Sequence, residues 1–326
     1  MPKRKNPVKA KAKDQEQDQE QNDFTADNPN HSGLKDPTLD SDISVSANNN
    51  KQDTEDAEEE ENFSHFTIPF DGKQQIVCER RGGGRETKDW DHEFPSLIFT
   101  HGAGGGIANA ATRDFAVGFA RVGMGDVVCY QGTMNLRHRV RGFEAVIENC
   151  LEGREGTGKK VAIGGRSMGA RAAVLTALGE KKREAVEALI LVSWPLLTGK
   201  GERELERREQ ILLDLPEEMD VLFILGSEDR QCPLEQFMEV RQKMRARSWV
   251  VEVKGADHGM SVKRKEGVQA VRRETGALAA RWLSARKERS LGEYCEIEFD
   301  GDEGEVRVDG WEKETGGRQK KARKIE

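Results

Sequence analysis

The chain has 326 residues, a formal net charge of −7, and nearly equal shares of charged (34%) and hydrophobic (35%) residues. That length suits one large domain with tails or two small domains, and the net negative charge argues against a generally basic, nucleic-acid-binding surface. Five widely spaced cysteines (Cys78, Cys129, Cys150, Cys232 and Cys295) contain no C-x-x-C pair, which argues against a disulfide framework or a zinc site and fits a reducing compartment, cytoplasmic or nuclear.

No apolar run approaches the roughly 18 residues of a membrane helix, and the start "MPKRK" is followed by none, so neither a signal peptide nor a membrane span is expected. Residues 1–62 run from the basic "PKRKNPVKAKAK" to the acidic "DTEDAEEEEN" and carry too little apolar side chain to offset the entropy of ordering. A disordered charged tail is expected there. The basic tail at 314–326 contains "RQKKARKIE". Either cluster reads as a nuclear import signal, as a contact to nucleic acid or to protein or chromatin partners, or as charge that keeps a tail soluble.

Ordered sequence begins at Phe63, and 63–290 reads as one domain. Two alternating runs flank Asp71-Gly72, the dipeptide of a type I′ hairpin, giving two strands in "FSHFTIPFDGKQQIVCERR". "SLIFTH" (96–101) is a short apolar strand that ends in "GAGGG", and Phe115, Phe119 and Val122 mark one face of a helix over about 108–122. Strands and helices then alternate: 126–130, a helix over about 139–151, 160–165, a helix over 168–178, 188–194, 221–226, a helix over about 233–244, 249–253, and a last helix to about 285. Apolar strands separated by amphipathic helices imply a mostly parallel sheet covered on both faces. Between the strands near 194 and 221 there is no room for a large lid. Residues 291–313 alternate about a Gly/Asp turn, which is compatible with an acidic hairpin extension, and the sequence leaves their pairing open.

"GGRSMGARAA" (164–173) places Ser167 between Gly165 and Gly169, after a strand and before a helix. Glycine is abundant, 34 of 326 residues, so G-x-S-x-G alone is a weak signal. At a strand-to-helix turn it reads as a nucleophile elbow, where the serine backbone is strained and its neighbours must lack side chains. Partners in the order Ser, acid, His would complete it. Asp229 in "GSEDRQCP" follows a strand, with Glu228 as its rival, and His258 in "KGADHGM" follows the next strand. His138 is the competing histidine, but it precedes the serine. An oxyanion hole needs two backbone donors: Met168 at the helix N-terminus, and Ala103, beside Gly102, in the glycine-rich turn. No Gly-Lys-Ser/Thr follows that turn and no dinucleotide fingerprint is in register, so no ATP or NAD site, and no metal or cofactor, is expected.

Together, "LIFTHGAGGG", "GGRSMGARAA", "VSWPLL", "VLFILGSEDRQCP" and "GADHGMSVK" resemble the α/β-hydrolase-like family of a testis-expressed protein and the third subunit of the NSL histone acetyltransferase complex. More distantly they are similar to dienelactone-hydrolase-like enzymes. The resemblance implies an α/β-hydrolase fold of the eight-stranded type with little or no cap, and Ser167, Asp229 and His258 at the matching positions. It carries two functional readings. One is a serine hydrolase of small soluble esters or thioesters. The other is a catalytically idle hydrolase fold that serves as a binding module, since one family member works inside a chromatin complex. Arg137, Arg139 and Arg166, with Arg171 and Arg230, are expected at the rim, either binding an anionic substrate or acidic partner or pairing with surface glutamates.

Overall fold

Strands that are apolar on both faces must be buried on both, and β3 (Leu97–Thr100), β4 (Val127–Tyr130) and β7 (Asp220–Gly226) are buried at every residue. The computed structural model describes residues 63–82, 96–123, 125–152 and 158–313; the expected tails at 1–62 and 314–326 lie outside them. The remaining strands are β1 (Phe63–Phe70), β2 (Gln74–Arg81), β5 (Val161–Arg166), β6 (Val186–Val192), β8 (Arg247–Val253), β9 (Tyr294–Asp300) and β10 (Glu305–Val308). All ten form one sheet in the order β1-β2-β4-β3-β5-β6-β7-β8-β9-β10. Pairing is parallel from β4 through β9 and antiparallel at both ends. This is an α/β-hydrolase fold.

The helices are α1 (Ala110–Arg121), α2 (Leu136–Leu151), α3 (Met168–Leu178), α4 (Gln210–Leu213), α5 (Leu234–Arg241) and α6 (Gly267–Ala285). Strand residues alternate between two cores. Ile98, Val221, Phe223 and Leu225 face α2, α3, α4 and α5, whereas Leu97, Phe99, Leu222 and Ile224 face α1 and α6. The chain runs from β3 outward to β4 and then back across β3 to β5. This reversal sends α1 and α2 to opposite faces and opens a crevice at the carboxyl ends of β3 and β5. On the α1/α6 face the helices cross at glycines. A Cβ on Gly118 would fall on the Arg273 carbonyl, and one on Gly276 would fall on the Phe115 carbonyl.

Several boundaries differ from the sequence reading for local reasons. The first hairpin pairs Phe70 with Gln74, so its loop is three residues, Asp71-Gly72-Lys73, instead of a two-residue type I′ turn. Asp71 (φ 50°) and Gly72 (φ 77°) nevertheless take the left-handed conformations that the dipeptide suggests. Helix α2 starts at Leu136 because the Asn135 carboxamide oxygen accepts the His138 N–H at 3.0 Å, a cap that the apolar spacing does not reveal. The sheet exceeds the eight strands that the resemblance implies, because β9 adds in parallel to β8 and β10 returns antiparallel to β9. From Ser193 to Met219 the β6–β7 connection holds only a π-turn (Leu205–Glu209) and α4. Among the described residues, no helix is long and apolar enough to cross a membrane.

Candidate active site

The turn from β5 into α3 is set by close backbone packing. Ser167 sits at φ 50° and ψ −113°, and its N–H donates to the Val192 carbonyl at 3.0 Å. A Cβ on Gly165 would lie 2.6 Å from the Gly169 carbonyl carbon, and one on Gly169 would lie 2.6 Å from the Thr100 oxygen and 2.7 Å from the His101 oxygen. The two glycines are therefore needed for space, and the serine is lifted above the sheet edge in a backbone conformation that L-residues rarely adopt.

Asp229 follows β7, where its N–H donates to the Gly226 carbonyl at 3.2 Å. Its carboxylate is buried. One oxygen accepts the Gln231 N–H at 2.8 Å and the other lies 2.8 Å from His258 Nδ1. The rival Glu228 is exposed and pairs with Lys263 at 3.2 Å, away from the imidazole. His258 follows β8, and its Nε2 lies 3.0 Å from Ser167 Oγ. Asp229, His258 and Ser167 thus form a continuous hydrogen-bonded chain across 91 residues of sequence between serine and histidine. His138 packs edge-on against Phe70, with ring centroids 4.7 Å apart, and is no part of it.

The histidine loop is held by groups that the sequence reading did not single out. Asp257 Oδ1 accepts the N–H groups of Gly259 (2.7 Å) and Ser261 (2.9 Å). Arg272 on α6 donates to the carbonyls of Gly259 (3.0 Å) and Met260 (3.2 Å) and to Ser261 Oγ (3.0 Å). No local motif announces these partners, because Arg272 reaches the loop from a separate helix.

The glycine-rich turn after β3 lies against the serine. A Cβ on Gly102 would sit 3.6 Å from Ser167 Cβ. Neither the Met168 nor the Ala103 N–H donates to an acceptor among the described residues. His101 is buried beneath this turn, with Nδ1 2.7 Å from the Gly102 oxygen and the Gly132 N–H donating to Nε2 at 3.0 Å. The tautomer with its proton on Nδ1 satisfies both. Burial, then the adjacent Arg139 charge, pushes this imidazole down to about 4.

Two of the three arginines expected to meet a substrate anion are turned elsewhere. Arg139 is fully buried, and its guanidinium donates to the carbonyls of His101, Gly102 (2.8 Å) and Thr133 (2.5 Å). Arg166 is also buried, and its Nη2 donates to the His258 carbonyl at 2.9 Å. Burial pulls Arg139 down to about 10, and burial followed by the like charge of Arg272 does the same to Arg166, so both remain cations at neutral pH. Arg171 is buried as well, whereas Arg137 and Arg230 are exposed. The mismatch has a simple origin: loop carbonyls compete with solvent for a guanidinium, and sequence spacing does not show which one it meets. Among the described residues no group of three or more His, Cys, Asp or Glu side chains is placed to hold a metal ion.

The fold and this crevice define an α/β-hydrolase domain. Residues 93–282, more than half of the chain, match the Alpha/beta hydrolase domain family, and the chain belongs to it. Among solved structures it is similar to an alpha-beta serine hydrolase homologue from Coxiella burnetii (18% identity, 66% of this chain and 96% of that one, TM-score 0.50). It is also similar to the ferulic-acid-bound Est1E from Butyrivibrio proteoclasticus (14% identity, 67% and 99%, TM-score 0.51). A dienelactone hydrolase from Anabaena variabilis aligns with 14% identity over 68% and 96% of the two chains, with a TM-score of 0.48. At these identities the likenesses concern the fold.

Proposed function

We propose that the protein is a serine acyl hydrolase, an esterase or thioesterase of small soluble substrates, with Ser167 as nucleophile, His258 as general base and then acid, and Asp229 as the group that orients the imidazole. The observation that carries this reading is the unbroken Asp229–His258–Ser167 chain at 2.8 and 3.0 Å. In the reaction, Oγ attacks the acyl carbon as its proton passes to Nε2, and the buried carboxylate stabilises the imidazolium. The negative charge developing on the acyl oxygen meets the N–H groups of Met168 and Ala103. Collapse expels the alcohol or thiol with the proton from Nε2, and water repeats the sequence to release the acid.

The short β6–β7 connection supports a substrate that reaches the serine without a lid domain. Within this reading the motifs keep their resemblance to the family of the testis-expressed protein and the NSL-complex subunit. Partners recruited through the charged tails would use residues outside those described. The test is covalent labelling of purified protein by a fluorophosphonate, comparing wild type with Ser167→Ala and His258→Ala. Labelling of wild type alone is expected. A folded wild type that stays unlabelled would favour the idle binding module.

A further inference from the structure

Arg139 is a costly side chain to bury beside the site. It is a fully buried cation for which no carboxylate partner stands among the described residues, and an unpaired buried charge is retained only where specific hydrogen bonds offset its desolvation. Each of its three nitrogens is placed on a main-chain carbonyl, and two of those carbonyls, of His101 and Gly102, belong to the turn beside Ser167. The arrangement is itself held. Tyr130 Oη donates to the Arg139 carbonyl at 2.7 Å, and Gly132 leaves room for the side chain, since a Cβ there would lie 3.1 Å from Cγ, Nε and Cζ.

The geometry of a peptide group gives these contacts a consequence at the serine. The Gly102 carbonyl and the Ala103 N–H belong to one planar unit, and no cis peptide occurs in the described chain, so the two bonds point in opposite directions. The carbonyl is drawn to Arg139 Nη2 (2.8 Å) and His101 Nδ1 (2.7 Å). The N–H is thereby turned away from Arg139, in a turn that packs on the nucleophile elbow, since a Cβ on Gly102 would sit 3.6 Å from Ser167 Cβ. A cation on the carbonyl also makes the opposite N–H a stronger donor, because hydrogen bonds in series polarise one another.

We infer that Arg139 is a positioning residue for the oxyanion site: from behind the Gly102–Ala103 peptide it orients the Ala103 N–H toward the acyl oxygen bound at Ser167 and strengthens it as a donor. This rests on the acyl-hydrolase reading. Arg139 touches neither substrate nor serine, and its neighbour His101 assists by donating to the same carbonyl.

The experiment compares wild type, Arg139→Met, Arg139→Lys and Gly132→Ala, with hydrolysis of p-nitrophenyl butyrate expressed per site titrated to completion by a fluorophosphonate. Inhibition by a trifluoromethyl ketone, whose serine adduct carries the same oxyanion, is measured in parallel. For Arg139→Met, kcat per titrated site is expected to fall about 10- to 100-fold, with KM within about twofold and ketone affinity reduced by the same factor as kcat. Arg139→Lys recovers part of both. Gly132→Ala, which crowds the guanidinium without removing it, lowers both in the same proportion and carries the test if Arg139→Met does not fold. A merely structural role would lower the number of titratable sites and leave kcat per site and ketone affinity unchanged, and that result overturns the inference alone. An unlabelled, inactive wild type would overturn the hydrolase reading and this inference with it.

Discussion

The Asp229 carboxylate divides its two oxygens between the Gln231 N–H and His258 Nδ1, each at 2.8 Å. The first bond fixes the carboxylate, and the second fixes which imidazole nitrogen carries the proton. Asp229→Asn would present a donor as readily as an acceptor and would favour the other tautomer, with Nε2 unable to take the serine proton. We expect kcat for an activated ester to drop about 10³- to 10⁴-fold with a near-native melting temperature. A loss below tenfold would remove Asp229 from the relay.

Arg166 holds the His258 carbonyl, so its replacement should disturb the base and leave substrate charge out of the outcome. Arg166→Met is predicted to lower kcat by roughly tenfold for neutral and carboxylate-bearing esters alike. Arg137 is exposed, and of Arg137, Arg139 and Arg166 it is the one whose loss is expected to raise KM for the charged ester selectively. A selective effect at Arg166, with none at Arg137, would contradict the assignment of Arg166 to the histidine loop.

The α1/α6 crossing should tolerate no side chain. Gly276→Ala must displace the Phe115 carbonyl and Gly118→Ala the Arg273 carbonyl, backbone groups that cannot rotate away. Each should cost about 2–3 kcal/mol or more in urea unfolding. Because both push the same two helices apart, the double variant should lose less than the sum of the singles. Wild-type midpoints for either single variant would show that the helices do not approach this closely.

His101 makes stability depend on pH. In the unfolded chain its imidazole titrates near 6.5, and in the folded chain near 4. Between those values the unfolded state binds the additional proton, so the contribution is complete above about pH 6.5 and is lost as the pH falls toward 4. The urea midpoint of the wild type should therefore decline from pH 7 to pH 5 more steeply than that of His101→Asn. Parallel declines in the two proteins would exclude it.

The three hydrogen-bonded side chains could be singled out because each sits in a local context with a chemical requirement: Ser167 between two glycines at a strand-to-helix turn, and Asp229 and His258 just after successive apolar strands. The sheet was legible in its parallel centre, where burial on both faces demands unbroken apolar runs. It was less legible at its acidic edge. There β9 alternates and could have paired in several registers, until Val250 to Val253 of β8 took Tyr294 to Ile297 as partners. The arginines were the least legible of all. Arg139 and His101 are 38 residues apart, and Arg166 and His258 are 92 apart, and nothing in either local sequence marks a guanidinium as internal.

By itself, then, the sequence determined the alternation of strands and helices, the strained position of Ser167, and the chain order of serine, acid and histidine, since backbone sterics and apolar periodicity act over a few residues. Tertiary structure alone decided which carboxylate meets the imidazole, which arginines turn inward to loop carbonyls, and where the last two strands attach. Those choices depend on hydrogen bonds and burial between segments that become neighbours only when the helices close over both faces of the sheet.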